Sequence, residues 1–225
     1  MLGRVEKHLV ATETRFGAFI YLVWGFVMFI GYGAMYIIWG SSWLAGFSEI
    51  VKGMITFVFW FGIAGVIMCI AIRIYKPRIQ AISITAGKEE WLKQRKRGGT
   101  YHGIIWTIFA IWVFVIGALL GETYGHSDKL WAFIVYGGLT YTGFGMYVAE
   151  SAVSKRWKEH LGMLLAPILM LLLSPLVFFA PADEELLWLS FAYCIGSAYF
   201  ATGLLALYQA ESLIPLPESE YDGRD

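Results

Sequence analysis

The side chains best suited to chemistry in this 225-residue sequence are four histidines, His8, His102, His126 and His160. Three of them, His8, His102 and His160, stand at or just before the start of an apolar run, all on one face if the runs pair as hairpins. Convergence of those starts would bring three imidazoles together, and histidine is the commonest metal ligand. The spacing does not favour this. The carboxylates nearby, Glu6, Glu13 and Glu159, form no pattern of the HExxH kind. A bis-histidine haem would need an imidazole in the middle of a run, and none is there. The expectation is no metal and no cofactor, with the histidines solvated at an interface.

Nucleophile and phosphate chemistry is equally unsupported. The sequence has no Walker A loop, no GxGxxG and no GxSxG elbow. Cys69 and Cys194 both fall inside apolar runs, so neither a disulfide framework nor a CxxC metal site is expected.

Hydroxyls and glycines offer another chemistry. One run holds Tyr136, Gly137, Gly138, Thr140, Tyr141, Thr142, Gly143 and Gly145, and a later one holds Tyr193, Gly196, Ser197, Tyr199, Thr202 and Gly203. Small residues let membrane helices approach closely, and hydroxyls can bond across them. Plain packing accounts for this pattern. The functional alternative is a narrow seam for a neutral solute, lined by Thr140, Tyr141, Ser197, Tyr199 and Thr202. Pro167 and Pro175 lie in the run between the two, where proline removes a backbone bond and tends to kink a helix.

A third feature is the segment KEEWLKQRKR, residues 88–97. It is amphipathic, with Glu89 and Lys93 at i,i+4. Trp91, Lys93, Arg95, Lys96 and Arg97 are candidates for docking a partner or anionic lipid headgroups, each cation near an anionic leaflet being worth about 1 kcal/mol.

The elements that must position these residues are six apolar runs, at about 16–39, 54–75, 103–121, 130–150, 161–180 and 186–208. About 20 helical residues cross a bilayer core, so each is long enough to span. Hydrophobic residues make up 58% of the chain and charged residues only 15%, which excludes a soluble domain and a disordered chain. The ~10-residue alternating segments of a membrane barrel are absent. The predicted fold is therefore all-α: a polytopic integral membrane bundle of six transmembrane helices in three hairpins. Residues 1–210 form the membrane domain and 211–225 an acidic, mobile cytoplasmic tail able to rest against the basic segment.

Orientation follows from Lys and Arg. Arg4, Lys7, Arg15, the cluster from Arg73 to Arg97, Lys155, Arg156, Lys158 and Arg224 fall on one side; only Lys52 and Lys129 fall on the other. Both termini are thus expected in the cytoplasm, with short external turns and the first run an uncleaved anchor in the cell membrane. A weak internal repeat is also visible: Leu130-Trp131 with Tyr136 matches Leu187-Trp188 with Tyr193, and both runs end in Ala-Glu-Ser, at 149–151 and 210–212.

No ionisable residue lies in the middle of any run, which argues against proton-coupled transport. Trp24 and Trp60 lie deep, but core packing explains them without a quinone or pigment. The function expected is a non-catalytic membrane subunit or accessory protein of a larger complex. It would contact lipid, other membrane subunits or itself, and no nucleic acid. The alternatives are a small permease or channel using the seam, and a haem- or quinone-binding redox subunit.

Overall fold

The computed structural model describes residues 4–39, 46–85, 87, 89–125, 127–155, 157–179 and 184–213, and every regular element among them is helical. Helix α1 is Arg4–Trp39 and α2 is Glu49–Thr85. Helix α3, Glu89–Ile111, passes through a π turn, Trp112–Ile116, into α4, Gly117–Tyr124. Helix α5 is Asp128–Ser154; a 3-10 segment, Trp157–Leu164, leads into α6, Leu165–Phe178, and α7 is Glu184–Leu213.

Four helical segments among the described residues are long and apolar enough to cross a membrane: Lys7–Tyr32, Val58–Ile84, His160–Phe178 and Leu186–Leu213. The runs 103–121 and 130–150 fall outside that set. The first is divided by the π turn and continues a helix whose opening turns are charged. The second is diluted by Gly137, Gly138, Gly143 and Gly145 and by several Tyr and Thr hydroxyls.

The basic segment is not a loop. Helix α2 continues through Arg73, Lys76 and Arg78 to Thr85 despite Pro77, and α3 begins at Glu89, so the cations ride on two helix extensions joined at 86–88. Gly87, at φ +65°, takes the left-handed conformation in this joint, where a side chain would be strained. The N-terminal turn of α5 is capped by Ser127, whose side chain accepts from the Leu130 amide. Pro175 lies in the interior of α6 and Pro167 in its first turn, directly after the 3-10 segment. At Pro175 the Ser174 hydroxyl bonds the Leu171 carbonyl that proline leaves free, at 2.7 Å.

Helix α1 packs most extensively on α7, α5 on α3 and α6, and α2 on α1 alone apart from a brief contact with α3. Each close pair is antiparallel. Along α1 and α7 the partners run Arg15 with Glu211, Leu22 with Gly203, Gly25 with Phe200, and Phe29 with Gly196. Along α3 and α5 they run His102 with Glu150, Ile105 with Gly145, and Phe109 with Gly138. The core lies toward the end away from the termini, where Tyr136 and Phe191 are fully buried and Tyr32, Trp60 and Trp188 pack against them.

Candidate functional site

The polar groups gather at the opposite end, which also holds the start of α1 and the end of α7. Its geometry begins with the two Ala-Glu-Ser sequences. In each the alanine is buried, packing the last turns of α5 and α7 against a neighbour. That fixes where the next residue emerges. Glu150 on α5 meets α3, with Oε1 2.9 Å from His102 Nε2. Glu211 on α7 meets α1 and receives two hydrogen bonds from Arg15, Nε to Oε1 at 3.0 Å and Nη2 to Oε2 at 2.9 Å. The bidentate arrangement fixes the planes of both groups. Both glutamates therefore join a base on the antiparallel neighbour at the same end of the molecule.

The Glu150 site is the more enclosed. Its carboxylate lies over Gly98, where an added Cβ would come within 3.3 Å of Oε1. Gly98 and His102 are one helical turn apart, so α3 presents a gap and a base to one carboxylate. His102 Nε2 is close enough for an ion pair when the ring is protonated, but it is not aimed along a hydrogen bond. One turn further on, Ser154 Oγ donates to the Glu150 carbonyl at 2.7 Å and lies 2.9 Å from His160 Nε2. The C-terminal turns of α5 thus connect α3 on one side with the 3-10 segment on the other. Lys155, at φ 55°, ends the helix in the left-handed conformation, its amide bonded to the Ser151 carbonyl at 3.0 Å.

His102 and His160 consequently serve α5 separately. Among the described residues no group of three His, Cys, Asp or Glu side chains could hold a metal ion. His8 lies on the first turns of α1, where its carbonyl accepts from Thr12 Oγ1 at 2.8 Å. His126, and the side chains of Glu6 and Glu159, lie outside the described residues.

The seam residues do not come together. Thr140 and Thr202 are buried, but each hydroxyl bonds its own helix, to the Tyr136 carbonyl at 2.9 Å and the Ala198 carbonyl at 2.8 Å. Tyr141 is 74% exposed and turns away from the bundle. Ser197 is exposed as well. Tyr199 packs edge-on against Tyr21 of α1, with centroids 5.6 Å apart. The small residues of the two runs serve different neighbours. Gly196 and Gly203 admit α1, while Gly138 and Gly145 admit α3 and Gly143 admits Pro167 of α6. A cavity of about 460 Å³ lies instead between α6 and α7, walled by Pro175, Leu176, Phe179, Leu189, Tyr193 and Cys194 with Ser190, and it is mostly apolar.

Of the docking candidates, Lys93, Lys96 and Arg97 are exposed on α3, and Lys93 sits 3.8 Å from Glu90, an i,i+3 contact. The side chains of Glu89, Trp91 and Arg95 lie outside the described residues. Against known proteins the chain matches no family model, no curated protein and no solved structure.

Nothing in the sequence pairs Glu150 with His102; Glu150 stands there only within the Ala-Glu-Ser that ends its run. The repeated Ala-Glu-Ser was the available signal. Two helices that end alike on antiparallel neighbours place their glutamates alike.

Proposed function

We propose that the chain is a non-catalytic, multi-pass subunit or accessory protein of the cell membrane, with six spans and both termini in the cytoplasm. It docks a partner through the exposed cations of α3. The observation that carries this reading is the division of the molecule into a filled interior and one polar end. The buried span glycines are occupied by neighbouring side chains, as at Gly31 by Trp60, Gly117 by Trp131 and Gly196 by Phe29, while Gly62, Gly65 and Gly137 face open space. The buried threonine hydroxyls close on their own helices. Such an interior suits a scaffold better than a polar passage.

Six spans are favoured by what α3 and α5 present outward. Ile104, Trp106, Ile108 and Ile111 on α3, and Phe133 and Val148 on α5, are all about half exposed or more. In water they would form an apolar patch far larger than soluble proteins tolerate. In lipid they are at home. The excess of Lys and Arg at the terminal end supports a cytoplasmic position for that end.

The test is gentle purification of the tagged protein from its native membrane, read by native mass spectrometry. A stoichiometric companion that is lost when Lys93, Lys96 and Arg97 are changed to Gln is the expected result. A lone species with no reproducible companion would overturn the reading and return attention to solute flux.

A further inference from the structure

Many hydroxyls of the helices close onto their own backbone. Thr140, Thr142 and Thr202 each bond the carbonyl four residues back, and Ser174 the one three back. Ser190 of α7 does not. Among the described residues its Oγ makes no hydrogen bond, and neither does the Tyr193 hydroxyl. The Tyr193 ring packs on Phe29 with centroids 5.3 Å apart, a contact that leaves the hydroxyl unused. A hydroxyl without a partner is costly in an apolar setting.

Both hydroxyls stand on the wall of the cavity between α6 and α7. Ser190 and Tyr193 are three residues apart, so they share one face of α7. Pro175, Leu176 and Phe179, in the last turns of α6, form the facing wall. Cys194, also on the wall, turns its thiol to the Leu173 carbonyl at 3.7 Å. The two hydroxyls are therefore the unbonded polar side chains of an otherwise apolar site. Leu176, Phe179 and Leu189 are exposed, so the cavity opens sideways, away from the bundle.

The level of the site follows from α7. Its apolar stretch, Leu186–Leu213, has 28 residues, about 42 Å at ~1.5 Å each, which matches the ~40–45 Å of a bilayer with its headgroups. The hydrocarbon core takes ~30 Å of that and leaves ~5–8 Å of polar layer at each surface. Ser190 lies ~6 Å along the helix from Leu186, and Tyr193 ~10 Å. The hydroxyls thus sit where the polar layer gives way to hydrocarbon, the level at which a lipid's acyl chains join its head.

Size limits the occupant. The cavity holds about 460 Å³. A helix with its side chains is ~10–12 Å across, so a single turn would fill that volume. A span of another protein, or of a second copy, does not fit inside. An acyl chain is narrow, offers apolar surface to Pro175, Leu176, Phe179 and Leu189, and carries an ester carbonyl that accepts from a hydroxyl. We infer that this cavity is a binding site for one acyl chain of a bilayer phospholipid, its ester held by Ser190 and Tyr193. The inference needs only α6 and α7 in the membrane, which four and six crossings share. It uses none of the α3 cations, so it and the docking reading can fail separately.

The experiment uses the full chain in phosphatidylcholine nanodiscs with a small fraction of phosphatidylcholine bearing a diazirine on one acyl chain. After illumination, peptide mass spectrometry locates the adducts. Met54 and Val58 of α2 are the reference, being exposed at the same end, where Trp60 packs on Tyr32 and Tyr32 on Trp188. Yields on 175–179 and 189–194 should exceed theirs at least about fivefold, as two net hydrogen bonds would supply. Ser190→Ala combined with Tyr193→Phe keeps the apolar walls and should bring the two regions to within about twofold. Equal yields in the unaltered chain would mark ordinary boundary lipid and overturn the inference. An excess unmoved by the double variant would overturn it too. So would exclusion of the probe from the cavity while Met54 and Val58 are labelled, which would mean another occupant. Native mass spectrometry gives a second readout: the unaltered chain should keep one phospholipid through delipidation, and Leu189→Trp, which fills the cavity, should lose it. An unaltered chain that keeps none would overturn the inference as well.

Discussion

Gly137 and Gly138 are neighbours in α5 with opposite surroundings. A Cβ at Gly138 would lie 2.8 Å from Trp112 Cδ1 and 2.9 Å from Phe109 Cε2, two rings that cannot give way without moving the α3 backbone. A Cβ at Gly137 would meet nothing within 4 Å. The Trp112 ring is further fixed by its indole N–H, which donates to the Ile134 carbonyl at 2.9 Å. Overpacking a filled site costs about 1–3 kcal/mol, whereas relieving a helix of a glycine gains about 0.5–1 kcal/mol. Gly138→Ala should therefore destabilise the protein and Gly137→Ala leave it unchanged or stabilise it, read as unfolding midpoints in mixed micelles. Equal responses would mean that the α3–α5 contact is not as described. The same comparison shows what the sequence could carry. Glycine content marked the run as a place of close approach, but nothing in the residue order says which of two adjacent glycines meets a neighbour. It also does not say that the neighbour is α3 rather than α7. The hydroxyls grouped as a seam were separated for the same reason. Thr140 and Tyr141 differ by one residue, hence by about 100° around a helix of 3.6 residues per turn.

At the scale of elements, two antiparallel pairs end alike, each with the glutamate of an Ala-Glu-Ser turn on a base of the partner helix. Their exposures differ, and so should their contributions. Arg15 and Glu211 have side chains 35% and 58% exposed, and exposed pairs are typically worth about 0.2–1 kcal/mol. A double-mutant cycle with Arg15→Gln and Glu211→Gln should return a coupling in that range, and it should weaken as salt rises. Glu150, 28% exposed, is the more enclosed, and its C-terminal turn also carries the Ser154–His160 contact. Glu150→Ala should lower the unfolding midpoint more than Glu211→Ala and should increase hydrogen exchange in both the α3 turn from Gly98 to His102 and the 3-10 segment. A response confined to α5 would separate the three elements that this turn is described as joining. The sequence made the repeat visible, but it did not reveal that the repeated helices use different partners. Tyr136 and Tyr193 show the divergence: the first is fully buried and donates to the Met170 carbonyl at 2.6 Å, while the second is 57% exposed.

At the scale of the whole molecule, the number of membrane crossings is the property on which the functional reading depends. Four helices meet the test of length and apolarity, and six runs were expected from the sequence. Both numbers are even, so both put the two termini on one side, and the position of the termini cannot separate them. Residue 129 can. With six crossings Lys129 lies in the turn between α4 and α5 on the external side. With four, everything from the end of α2 to the start of the 3-10 segment, Lys129 included, stays in the cytoplasm. On the six-span proposal, mean apolarity undercounts α5 because it weighs residues without regard to where they face. Gly138, Thr140 and Thr142 lower the average but are turned inward, leaving Phe133, Tyr141 and Val148 on the outside. That distribution is the one lipid requires, since the surface must be apolar and the interior need only be satisfied. With Cys69 and Cys194 changed to Ser, a single cysteine at Lys129→Cys should be labelled by a membrane-impermeant maleimide in intact cells, and one at Lys76→Cys only after the membrane is opened. Labelling of both only after opening would leave α3 to α5 outside the bilayer, and the outward isoleucines and aromatics of these helices would then require a protein partner to cover them.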